Sequence, residues 1–240
     1  MPLSRALAPG FELWCPDLPG HGARSDEPFV LERAVADVAT LVAAAAPRPA
    51  ILAGDSLGGY VALAAAATQP RGVAAVVAGG CTWSMTGLGG ALARLSDVPP
   101  ELLARALGPR RTRRLFEALV ARVCAPDDAR AIVRAGVRVA SRGESLRELA
   151  GLDLVAVVRA LAMPVVFVNG RFDWPTRAGE GALLRAARDG RLVVSPRSGH
   201  GVGIFDPPAF ARAIACATAP SATARAARSY RNPRPRNPSP

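Results

Sequence analysis

Gly54-Asp55-Ser56-Leu57-Gly58-Gly59 sets one hydroxyl among three glycines, between the apolar residues 50–53 and the alanine-rich stretch 57–68. A serine hydroxyl is a poor nucleophile until a base removes its proton, so covalent attack on an acyl carbon needs an imidazole, itself oriented by a carboxylate. The spacing G-x-S-x-G has a steric reason. A serine on a strained strand-to-helix turn exposes its oxygen, and the residues two before and two after it come so close that only small ones fit.

The sequence holds two histidines. His200, in Ser198-Gly199-His200-Gly201, follows the last β-rich run and is the candidate base. His21 stands between Gly20 and Gly22 and reads as part of a turn. Asp173, in Asn169-Gly170-Arg171-Phe172-Asp173, is the candidate acid. Its rival, Asp153, reads as the cap of a helix ahead of Pro164. Ser56, Asp173 and His200 each come just past an expected strand, where open α/β sheets gather their sites. Their order, Ser then Asp then His, is the one that accompanies this elbow. The N–H of Leu57, at the start of the following helix, is the expected oxyanion donor.

The elements that must position these groups follow from periodicity. Short β-rich runs predict strands at 11–14, 50–53, 73–77, 165–168 and 192–195. Between them, 31–46, 57–68, 181–187 and 208–217 read as helices, so the fold class is α/β, a mostly parallel sheet with helices on both faces. From about 84 to 148 no strand is expected, only leucine, alanine and arginine at helical spacing, broken at Gly89, Pro99, Pro100, Pro109 and Pro126. That is too long for a loop and predicts a helical insertion.

Taken together, "PDLPGHGARS", "GDSLGGYVAL", "PVVFVNGRFDW" and "SGHG" resemble the α/β-hydrolase superfamily, in its capped esterase and lipase-like group, over about residues 3–218. The resemblance implies Ser56 as nucleophile, His200 as general base, Asp173 as the orienting acid, and the insertion as a cap over a small ester-like substrate. It makes His21 a structural residue of the "PGHG" loop. It also implies an earlier strand ending in His-Gly, between those expected at 11–14 and 50–53, that supplies a second oxyanion donor. No such segment is present, and residues 1–8 read as the helix that should follow it. Two outcomes are open: a start further upstream, which the pairing of buried backbone groups favours, or closure of the flanking strands onto each other. A missing donor typically lowers turnover by about 100 to 1,000-fold, so the competing reading is a degenerate homologue that binds a ligand without turnover.

Composition narrows the remaining classes. No apolar run approaches the roughly 20 residues that a bilayer crossing needs, and no secretory leader pattern opens the chain, which implies a cytoplasmic location. Four widely spaced cysteines and two isolated histidines give no metal-ligand spacing, so no metal or cofactor is expected and the thiols read as reduced and mostly buried. Of the net charge of +11, five arginines lie in the Pro-rich segment 221–240, which reads as a disordered basic tail beginning near 219. Arg110, Arg111, Arg113 and Arg114 read as a solvated helix face beside Leu115, Phe116 and Leu119. Nucleic acid and membrane are therefore not expected partners; a small-molecule ester is.

Overall fold

Apolar runs punctuated by glycine, three of them containing paired valines, build the sheet. In a computed structural model, which describes residues 3, 7, 10–68, 71–96, 98–124, 126–135 and 140–219, these runs are β1 (Ala50–Asp55), β2 (Val73–Gly79), β3 (Val165–Gly170) and β4 (Gly190–Ser195). All pair in parallel, in sequence order. Each crossover is helical, as parallel pairing requires. In the central strands alternate side chains enter opposite cores: Val165 and Phe167 one, Val166 and Val168 the other.

Three helices precede or bridge the first strands: α1 (Leu31–Ala45), α2 (Leu57–Thr68) and α3 (Gly87–Leu95). Helix α2 lies between sheet and α1 and is buried nearly all round, which explains why it is built from alanine and glycine. Three more continue the insertion: α4 (Val98–Val123), α5 (Pro126–Ala135) and α6 (Ala140–Glu148). The first of these is broken at Gly108, whose φ of 73° interrupts the helix just ahead of Pro109. The chain then returns through α7 (Leu154–Ala160), the short α8 (Trp174–Arg177) and α9 (Glu180–Ala186), and after β4 through α10 (Val202–Phe205) and α11 (Pro207–Thr218). Helix α11 lays Ala209, Phe210, Ala213, Ile214 and Ala217 on the sheet face opposite α2.

The insertion is tied to the body at its far end. Glu144 and Glu148 of α6 accept hydrogen bonds from the backbone N–H groups of Phe29 (3.1 Å) and Leu31 (3.0 Å) at the start of α1. Helix α1 lacks a capping side chain of its own, so Glu148 satisfies a donor that its first turn leaves open, and Glu144 holds the residue that leads into it.

Several expectations change. Residues 11–14 are not a strand: Phe11, Leu13 and Trp14 are exposed, and the chain from 11 to 18 has no regular structure. A strand needs a paired neighbour, and among the described residues β1 is hydrogen-bonded to β2 alone. The two segments have not closed onto each other. Between them lies a groove of about 680 Å³, lined by Phe11, Leu13 and Trp14 on one side and by Ile51 and Leu52 on the other. The thiols are not mostly buried either: Cys81 is buried, Cys124 and Cys216 half-buried, and Cys15 exposed. The four arginines are exposed, as the reading of a solvated helix face expects, and Leu115 and Leu119 are exposed beside them. The helix expected at 1–8 lies outside the described residues except for Leu3 and Leu7, which pack under α11. Residues 220–240 of the expected tail also lie outside them. Among the described residues no helix is long and apolar enough to cross a membrane.

Candidate active site

Strand β1 ends at Asp55, and the next residue turns the chain into α2. Ser56 does so at φ 54°, the only non-glycine residue with positive φ among those described. Such a conformation costs of order 1–3 kcal/mol and persists only where the surroundings impose it. Here Ser56 donates its N–H to Gly79 O (2.8 Å) and accepts from Gly59 N (2.9 Å). A Cβ on Gly54 would meet the Gly58 backbone at 2.2 Å, and one on Gly59 would meet Cys81 Sγ at 2.6 Å. A Cβ on Gly58 meets nothing within 4 Å. The crowding at Gly58 thus comes through its backbone, and the expectation that this glycine must itself be small does not hold.

Two loops bring the partners. Asp173 follows β3 and opens α8, with its side chain 7% exposed. His200 lies in the loop between β4 and α10, its side chain half exposed. The His200 Nδ1 to Asp173 Oδ2 distance is 2.8 Å, and His200 Nε2 to Ser56 Oγ is 2.8 Å. All three residues named from the sequence are therefore in one hydrogen-bonded line. His21 is elsewhere, with Nδ1 3.0 Å from Pro19 O in its turn. Asp153 caps α7 by accepting from Ala156 N at 3.0 Å. Leu57 is the first residue of α2, where backbone N–H groups lack intrahelical partners.

The electrostatics suit a base. The hydrogen bond to Asp173 raises the His200 pKa above its ordinary 6.5; burial opposes, while the charges of Asp173 and Asp55 reinforce it. Burial, the largest single influence on Asp173, pushes its carboxyl up, but hydrogen bonds from His200 and Thr176 outweigh it and leave the group below 3.8. It is an anion when the imidazole must become a cation.

A buried network under the acid loop was not foreseen. Asn169 Oδ1 accepts from Gly80 N (3.1 Å), while its Nδ2 donates to Thr82 Oγ1 (2.9 Å) and Glu180 Oε1 (2.9 Å). Arg177 pairs with the same Glu180 oxygen at 2.9 Å, and Thr82 donates to the Thr176 carbonyl. The available signal was one asparagine closing the apolar run Val-Val-Phe-Val. Around the start of the insertion, Met85 belongs to the core and Leu88 is 77% exposed. Trp83 donates to Gly89 O, and Phe116 is half-buried.

A parallel sheet carrying a strained serine elbow, with acid and base on later strand ends, defines a class. The model of the alpha/beta hydrolase family matches residues 1–214, and the chain belongs to that family. Pimeloyl-[acyl-carrier protein] methyl ester esterase of Xanthomonas oryzae pv. oryzae is 47% identical over 81 residues, 32% of this chain and 30% of that protein. The chain thus spans about 30% of the length of the curated relatives it matches. Among solved structures, MenH from S. aureus superposes with a TM-score of 0.70 at 17% identity, covering 89% of this chain and 85% of that one. The enol-lactonase from Burkholderia xenovorans LB400 does so with 0.67 at 20% identity, covering 90% and 84%. At these identities the likeness is one of fold.

Proposed function

We propose that the chain is a serine hydrolase cleaving a small carboxylic ester, lactone or thioester through an acyl-enzyme. Ser56 Oγ attacks the carbonyl carbon as His200 Nε2 takes its proton, and Asp173 stabilises the resulting imidazolium. Negative charge gathers on the carbonyl oxygen, which the Leu57 N–H faces as oxyanion donor. The intermediate collapses, His200 returns the proton to the departing alkoxide or thiolate, and the acyl group stays on Ser56. Water then attacks, giving its proton to His200; the carboxylic acid leaves and Ser56 regains its hydrogen.

The observation supporting this reading is the pair of 2.8 Å contacts joining Asp173, His200 and Ser56 on a left-handed turn. The helical insertion is the cap in this reading, and the relatives named for a methyl ester put methyl esters of acyl chains first in a substrate panel. A fluorophosphonate probe should label the protein at Ser56 and fail on Ser56→Ala. A folded, unlabelled wild-type protein overturns the proposal.

A further inference from the structure

The residue before the nucleophile is a carboxylate that the mechanism above leaves unused. Asp55 stands at the end of β1 opposite Gly79. Its Oδ2 accepts from Gly203 N at 2.7 Å, across 148 residues. Its Oδ1 is shielded from solvent and has no hydrogen-bond partner. The backbone leaves space for this group and little more. A Cβ on Gly79 would lie 2.8 Å from Oδ1, one on Gly80 3.2 Å from it, and one on Gly203 3.1 Å from Oδ2. The same point over Gly80 is 3.2 Å from His200 Cε1, so carboxyl and imidazole share one hollow. A carboxyl buried with one oxygen unpaired is costly and calls for a compensating role.

We propose that Asp55 is a positioning residue: through Gly203 it ties the loop bearing the base to the nucleophile corner, and its carboxylate faces the imidazolium of His200 as a second negative charge. Asp173 reaches the ring at Nδ1 and Ser56 at Nε2, leaving the Cε1 side to Asp55. Arg142 of α6 opposes with a positive charge. Burial raises the pKa of Asp55, and the charge of His200 lowers it, so the two groups titrate as a coupled pair.

The role of this charge rests on the hydrolase reading, but its existence does not, and the test separates them. With two histidines in the chain, NMR of the ring Cε1–H resonances follows His200 with His21 as internal reference. In Asp55→Asn, which preserves shape and an acceptor for Gly203, the His200 midpoint should fall. In the wild-type protein the Asp55 carboxyl carbon should shift as His200 titrates, a readout that needs no variant. An unmoved His200 midpoint in Asp55→Asn, or an Asp55 resonance indifferent to the imidazole, overturns the proposal. Intact coupling in a protein that turns over no ester supports it and removes the hydrolase reading instead.

Discussion

At Gly54 a single methyl group should be decisive. Gly54→Ala puts a carbon 2.2 Å from the Gly58 carbonyl, against backbone that cannot rotate away, and should cost about 3 kcal/mol in urea denaturation. Gly58→Ala, with open space at the same corner, should cost far less. Ser56→Ala and His200→Ala should each lower ester turnover by several orders of magnitude, and Ser56→Ala should leave the denaturation midpoint close to wild type. In the proposed mechanism the neutral imidazole is the base, and the hydrogen bond to Asp173 raises its pKa. The kcat/KM profile should therefore rise with pH through a midpoint above 6.5. Asp173→Asn removes the largest cause of that shift, so the midpoint should move down and kcat fall by about 10,000-fold.

Among the described residues strand β1, like β4, is paired on one side only, whereas β2 and β3 are paired on both. The β1 amides on the other side face the groove rather than a partner, so they should exchange hydrogen much faster than those of β2 and β3. Losing the cap in Asp153→Ala should cost about 1 kcal/mol through α7. At this scale much was legible in the sequence. Short apolar runs predict the four strands to within two residues at either end, and Leu57–Thr68 with the ends it has. Residues 11–14 have the same β-rich composition but lack a neighbour to pair with, and pairing is not written in a local pattern. The hydrogen-bonded line of Ser56, His200 and Asp173 was legible because its members stand at strand ends in a fixed order. Asn169, Asp55 and the two α6 carboxylates were not, since each acquires its role from groups 11 to 148 residues away.

For the molecule as a whole, the site couples folding to acidity. His200 and Asp55 have folded pKa values above their ordinary 6.5 and 3.8. Each contributes stability below its ordinary value and loses that contribution as pH rises through the raised one. Asp173 is shifted down, so it contributes above 3.8 and loses this as pH falls through its lowered value. Stability measured against pH should change across the His200 titration, and that step should vanish in His200→Ala. The fastening of α6 to α1 has its own consequence. If the insertion is the cap proposed above, a swing of it away from the body would strip Phe29 and Leu31 of their acceptors, and admission of a guest molecule and loosening of the start of α1 would be one event. Isotope uptake at those two amides would then serve as a clock for how often the doorway opens.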